Sequence, residues 1–383
     1  MVARDVPLCR PDIGEKEIEA VVEVLKSGWL AHGEYNHKFE AAFANLLKVP
    51  HAITLNSCTS ALEVALQVAE IRGEVILPSF TWVATANAVV NSGATPVFCD
   101  VDGPTRNTTA ELIAAQISPQ TEAVICVHYG GQPCQMDAIV HLCEQHNLFL
   151  IEDSAQTLGA TWKGQQAGSF GVGCFSFFPT KNITTGEGGM LTCKSPAFAD
   201  KIRALISHGI PSTTLAREKM KVPWVREAVV AGHNYRMPNP LAALGYHQLL
   251  RLDELNRKRI ALARRYDALL ASECPGIRTP VVSEGATHVY QMYTIEVDQC
   301  KRDAIVLALR ECGVGASVHF DPPVHLHPYY REQGTRLGTL PVTEQLVKEL
   351  ITLPMYPSMT EADQDWVVHC LKTALRKAEV ECR

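Results

Sequence analysis

The 383-residue sequence has no run of about 18 apolar residues, which sets aside a membrane-spanning helix. Its start, Met1-Val-Ala-Arg-Asp-Val-Pro7, lacks the apolar stretch of a secretion signal, so a cytoplasmic location is expected. Cys-x-x-Cys pairs are missing too. The thirteen cysteines are odd in number and scattered, and they read as small buried hydrophobes in a reducing compartment rather than a disulfide or zinc framework. No Gly-x-x-x-x-Gly-Lys-[Ser/Thr] occurs, which excludes a P-loop, and no Gly-x-Gly-x-x-Gly follows the first strand, which leaves a dinucleotide site unsupported. There is no excess of positive charge: the net charge of −6 argues against nucleic-acid binding as the main role. Internal repeats and low-complexity tracts are absent.

What is present is an ordinary globular composition, 46% hydrophobic and 20% charged, on a chain long enough for two domains. Glu15–Gly28 carries Ile18, Val21, Val22 and Leu25 on one helical face. Short apolar runs at Ala52–Leu55, Val75–Leu77, Pro96–Cys99, Ala123–Val127 and Leu148–Ile151 alternate with helix-spaced stretches, the pattern of a largely parallel sheet covered on both faces. Past about residue 240 the pattern changes. A long helical stretch over Leu241–Leu270, broken once, leads to strands near Tyr290–Val297 and Gly315–His319, a helix near Asp303–Cys312 and a closing helix from Glu361. The expected division is a large domain over 1–240 and a smaller α+β domain over 241–383. Pro211–Gly232 has poor periodicity and reads as a surface loop, with Arg217, Lys219, Lys221 and Arg226 as candidate contacts for a diphosphate.

Chemistry concentrates around Ser169–Gly189. There Lys181 follows an apolar run and precedes a glycine-rich turn, five residues after Ser176. A lysine that forms a Schiff base must be aimed and partly desolvated, and this setting does both. Asp153 closes another apolar strand, at the end where ligands bind in α/β sheets. Lysine plus acid is the usual protein partnership of pyridoxal phosphate (PLP). Asn56-Ser-Cys-Thr-Ser-Ala61 joins a strand to a helix, so Thr59 and Ser60 stand either as a cap or as a phosphate cradle. Trp82 stands as either core or ring cover. His319, His325 and His327 lie among prolines without acidic partners, which disfavours a metal.

The sequence resembles the DegT/DnrJ/EryC1/StrS family of PLP-dependent sugar aminotransferases. The matching segments run nearly end to end: Ser27–Leu30, Asn56–Ala61, Pro78–Asn87, Gly93–Val97, Val127–Gly130, Ile151–Gln156, Ser176–Asn182, Gly186–Gly189, Asn234–Met237 and His325–Tyr330. The resemblance implies an α/β fold of the aspartate aminotransferase type (fold type I), with a mostly parallel-sheet domain and a smaller C-terminal α+β domain. It also implies roles: Lys181 as Schiff-base lysine and proton carrier, Asp153 on the pyridinium nitrogen, Gln156 on the ring oxygen, Trp82 on the ring face, and Thr59, Ser60 and Ser176 on the phosphate. Asn234 would reach the phosphate of a neighbouring subunit in a homodimer with shared sites, and His319 would approach the sugar. Cys58, His233 and Pro238-Asn-Pro240 depart from the common pattern. The implied reaction passes an amino group from glutamate to a nucleotide-linked 3- or 4-keto-deoxysugar by ping-pong kinetics. A keto-cyclitol acceptor and a non-catalytic PLP- or sugar-binding module are the alternatives. Dehydratases of the family have histidine where this chain has Lys181.

Overall fold

The computed structural model describes residues 4–211 and 224–381. Seven strands form the main sheet: β1 (His51–Leu55), β2 (Glu74–Pro78), β3 (Thr95–Cys99), β4 (Thr121–Val127), β5 (Phe149–Asp153), β8 (Val172–Ser176) and β9 (Gly189–Cys193). A two-stranded hairpin, β6 (Thr161–Trp162) and β7 (Gln165–Gln166), lies beside it. The order in the sheet is β1-β9-β8-β5-β4-β2-β3. Strands β2, β3, β4, β5 and β8 pair in parallel, whereas β9 runs antiparallel to both β8 and β1. Burial on both faces explains the unbroken apolar runs: Ala123 to Val127 of β4 are all buried. Helices α1 (Glu15–Ser27), α2 (Glu34–Leu47), α3 (Cys58–Val68), α4 (Ala84–Asn91), α5 (Ala110–Ala114), α6 (Met136–His146) and α7 (Pro196–Leu205) accompany this region. Because β8 runs parallel to β5, the β8–β9 connection, which carries Lys181, starts at the same sheet end as Asp153.

The long helical stretch is two helices, α8 (Asn239–Leu250) and α9 (Leu252–Glu273), meeting at Arg251. Beyond them β10 (Tyr293–Glu296) and β11 (Leu350–Leu353) pair antiparallel. With α10 (Arg302–Glu311) and α13 (Glu361–Glu381), the second half of α9 and Val6 of the N-terminal segment, they enclose a second core. Between them α11 (Pro328–Glu332) and α12 (Pro341–Glu349) return to the large sheet, where Val324, Tyr330 and Leu340 join its core.

One expectation is corrected. Gly315–His319 forms no strand; its backbone pairs with β11 through one bridge, between Ser317 and Thr352. The buried face of α1 is not the one its apolar residues mark. Ile18, Val22 and Leu25 are exposed, while Glu17, Ala20 and Val24 are buried. The reason is local. Glu17 accepts from Gln248 and Arg251, at 2.8 Å each, and the small Ala20 lets α1 pack closely on Ala243 of α8. Charge pairing therefore fixes the helix's rotation against its hydrophobic pattern. Arg217, Lys219 and Lys221 lie outside the described residues; Arg226 is exposed.

Candidate active site

A cavity of about 460 Å³ opens at the carboxyl ends of β4, β5 and β8. Lys181 and Asp153 both line it, as do Thr59, Trp82, Gln156, Ser176 and His319. Seven of the nine residues singled out from the sequence therefore converge on one space.

Lys181 sits in the loop between β8 and β9. That loop is closed by Phe177 and Gly188 (N to O, 2.9 Å), by Thr185 and Phe177 (N to O, 2.9 Å), and by the hydroxyl of Thr184 on the Phe177 carbonyl (2.9 Å). Burial lowers the proton affinity of the Lys181 amine, opposed chiefly by the charge of Asp153. A larger share of neutral, nucleophilic amine follows. Asp153 is buried, and burial raises its carboxyl pKa against the hydrogen bonds from Thr85 Oγ1 (2.8 Å) and the Ala155 amide (3.2 Å). An acid in this position gains most from a cationic N–H partner.

Gln156 accepts the Gly130 N–H on Oε1 at 2.6 Å, which fixes its amide and assigns Nε2 as the free donor. The N-terminus of α3 faces the cavity through Ser57, Cys58 and Thr59. Ser57 caps the helix by accepting the Ser60 N–H at 3.1 Å, and the remaining first-turn amides have no intrahelical partner. Gly189 makes this approach available: a Cβ there would stand 2.4–2.6 Å from the Ser57 carbonyl and the Cys58 nitrogen. Ser60 does not line the cavity. Its hydroxyl turns 3.0 Å toward Ser57, so Ser57 holds the place expected of Ser60. Trp82 is 62% exposed at the cavity mouth and meets Phe320 at 6.0 Å between ring centres, so it is not a core residue. His319 donates to or accepts from Thr352 Oγ1 at 2.8 Å; burial and the Lys181 charge push its pKa down to about 4, which keeps the ring neutral. Asn234 lies away from the cavity, bridged to Ser207 and bonded by Arg236 at 3.1 Å.

Leu8, Cys9, Gln291, Met292 and Phe320 also line the cavity, and none was legible in the sequence. They arrive from segments without periodicity. Ser57 was the exception, since the strand–Ser–helix pattern marks a cap.

Two other polar clusters are structural. Cys126, His128 and Cys134 bring potential metal ligands within 4.8 Å of one another. Yet His128 Nδ1 accepts the Cys134 amide at 3.1 Å and Nε2 faces Glu152 Oε2 at 3.1 Å, so neither ring nitrogen has a lone pair to give. Ser79, His325 and Glu344 are aligned like a hydrolytic triad but are buried. They tie β2 to α12 through contacts of 2.6 and 3.1 Å. His327 bonds the Pro322 carbonyl, so the three histidines occupy three separate networks.

Residues 11–372 match the DegT/DnrJ/EryC1/StrS aminotransferase family. The chain is 40% identical over 383 residues to the spore coat polysaccharide biosynthesis protein SpsC of Bacillus subtilis, covering 98% of each. Among solved structures it is similar to the aminotransferase TlmJ of Streptoalloteichus hindustanus, with 35% identity, a TM-score of 0.90 and coverage of 97% and 99%. It is also similar to the putative sugar aminotransferase Spr1654 of Streptococcus pneumoniae in its PMP form, with 28% identity, a TM-score of 0.91 and coverage of 97% and 100%. The fold is fold type I of the PLP-dependent transferases. Among the described residues, no helix is long and apolar enough to cross a membrane.

Proposed function

The chain belongs to the DegT/DnrJ/EryC1/StrS aminotransferase family and is a PLP-dependent sugar aminotransferase; we propose that it carries an amino group from glutamate to a nucleotide-linked keto-deoxysugar. The observation that supports the PLP chemistry of this reading is a desolvated lysine amine and a buried carboxylate lining one cavity, near the ends of neighbouring strands.

The cavity suits PLP. Its volume, about 460 Å³, is that of a small-molecule site. Its polar groups fall into three sets, the α3 N-terminus with Ser176, the Asp153 carboxylate and the Lys181 amine, of the kinds that a phosphate, a ring nitrogen and an aldehyde require. PLP, when bound, supplies an electron sink for the carbon that loses its proton. In this reading the protein does the rest. The α3 N-terminus, Ser57, Thr59 and Ser176 hold the phosphate. Asp153 keeps a proton on the ring nitrogen. Gln156 Nε2 donates to the ring oxygen, and Trp82 covers one ring face. With PLP bound, the Lys181 amine would anchor the cofactor and, once released, would be the base that carries the proton from the substrate's Cα to the cofactor carbon beyond the nitrogen joining them, a contribution of about 10²–10⁴ in rate. Asn234 serves the phosphate of a second copy of the chain in a homodimer with shared sites. His319, neutral, is placed to accept or donate a hydrogen bond to the sugar.

The similarity to SpsC, a spore coat polysaccharide biosynthesis protein, favours a keto sugar over a keto-cyclitol. The test is stepwise. Incubation with PLP and glutamate is expected to convert the cofactor to its aminated form, and a panel of nucleotide-linked keto sugars is expected to return it. Stable PLP binding without conversion by glutamate would favour the non-catalytic module instead.

A further inference from the structure

Two threonine hydroxyls stand in line with the Asp153 carboxylate. Thr85 Oγ1 lies 2.8 Å from Asp153 Oδ2, and Thr81 Oγ1 lies 2.9 Å from Thr85 Oγ1. Both threonines are buried, so bulk water does not compete for these bonds. The direction of the chain follows from counting protons. An ionised carboxylate only accepts, so the one Thr85 proton must point at Oδ2. Thr85 then has no proton left for Thr81, and the 2.9 Å contact is donated by Thr81. With Asp153 protonated on Oδ2, the direction reverses. Bonds aligned in series strengthen one another, so two hydroxyls aimed at Oδ2 favour the charged form beyond what one would.

That form needs the help. The titratable groups around Asp153 are Cys58 on α3, Cys174 on β8, His128 after β4, Glu152 beside it and Lys181 across the cavity. His128 is already committed to Glu152, the Cys58 thiol makes only a long 4.0 Å contact to Asp153 Oδ1, and the Cys174 thiol lies in the apolar core. Only the Ala155 amide and the threonine chain donate to the carboxylate at hydrogen-bond distances under 3.5 Å among the described residues.

We propose that Thr81 and Thr85 form a directed hydroxyl relay that holds Asp153 ionised and thereby holds the proton on the cofactor's ring nitrogen. Thr85 and Thr81 are positioning residues: they act through Asp153. The inference rests on the proposed function only for the identity of the group facing Asp153; the relay is a property of the protein alone.

The test uses the full chain and four variants, Thr85→Val, Thr85→Ser, Thr81→Val and the Thr81→Val/Thr85→Val double. The readout is the infrared band of a protonated carboxyl, assigned to Asp153 by its loss in Asp153→Asn, followed against pH. PLP affinity is measured in parallel. Thr85→Val is expected to move the appearance of the band upward by about one to two pH units, the worth of one hydrogen bond to a charged group. Thr85→Ser is expected to restore the wild-type position. Thr81→Val is expected to give a smaller upward shift, and none when added to Thr85→Val. An unmoved band in Thr85→Val, or an equal Thr81→Val shift in both backgrounds, overturns the relay. Should Thr85→Val not fold, an unmoved band in Thr81→Val overturns it alone. Failure of the wild type to bind PLP would sink the functional reading while leaving the infrared result to decide the relay.

Discussion

Replacing His325 by leucine removes a joint between the large sheet and the C-terminal segments. His325 is buried, with Nδ1 2.6 Å from Ser79 Oγ and Nε2 3.1 Å from Glu344 Oε1. Ser79 Oγ also accepts the His325 amide at 3.0 Å, and Glu344 accepts the Gly338 amide at 2.8 Å, and both bonds survive the change. What goes is one bond between neutral groups and one to a carboxylate. Their loss costs about 0.5–1.5 and 1.5–3 kcal/mol, so about 2–4.5 kcal/mol together. Leucine fills most of the ring's space, which keeps any cavity contribution small. Unfolding entropy of about 2.1 cal/mol/K per residue, over the whole chain, converts that loss to a fall of about 3–6 °C in melting midpoint. Ser79→Ala is expected to fall by less, since Glu344 keeps its histidine. Differential scanning calorimetry of the two variants and their double decides the matter. A fall under about 1 °C in His325→Leu would show that the triad-like cluster is not a structural clasp. Because Ser79 begins the segment that carries Trp82, the same variant is expected to shift tryptophan fluorescence.

Two further predictions concern pH and packing. His319 and His288 are held near pKa values of about 4 and about 3, each chiefly by burial, against an unfolded value of about 6.5. Both are neutral when folded and charged when unfolded between those limits, so the unfolded chain binds more protons there and stability is lost as pH falls below about 6.5. Melting midpoints measured from pH 7 to 5 are expected to drop, and His288→Leu is expected to lower the proton uptake on unfolding by nearly one; an unchanged slope in that variant refutes the assignment. Gly189→Ala places a methyl 2.4–2.6 Å from backbone atoms of Ser57 and Cys58. The start of α3 must move, at about 1–3 kcal/mol, and PLP affinity is expected to weaken with stability; an unaltered affinity would show that this helix start does not hold the phosphate.

Much of the sheet was legible because its strands are buried on both faces. Runs such as Ala123–Val127 have no other reading once helices alternate with them. Lys181 and Asp153 were legible for a related reason, since each interrupts or ends an apolar run where a charge needs a purpose. Position on the surface was harder. The rotation of α1 is set by Glu17 meeting Arg251 and Gln248, a contact between residues more than two hundred positions apart, which periodicity cannot encode. The cavity wall built by Leu8, Cys9 and Gln291 escaped for the same reason. Ser60 against Ser57 was a matter of one helical turn. Both are serines near a helix start, and only the cap geometry separates the one that turns inward from the one that faces the cavity. Gly315–His319 had strand-like composition, but its backbone pairing with β11 is a single bridge, too little to make a strand.

The central claim is that the amine of Lys181 is the group that bonds to PLP. Borohydride reduction of the PLP-treated protein, followed by peptide mass mapping, is expected to fix the label on the peptide containing Lys181 and to leave Lys181→Ala unlabelled. A label on another lysine, or none on the wild type, would contradict it.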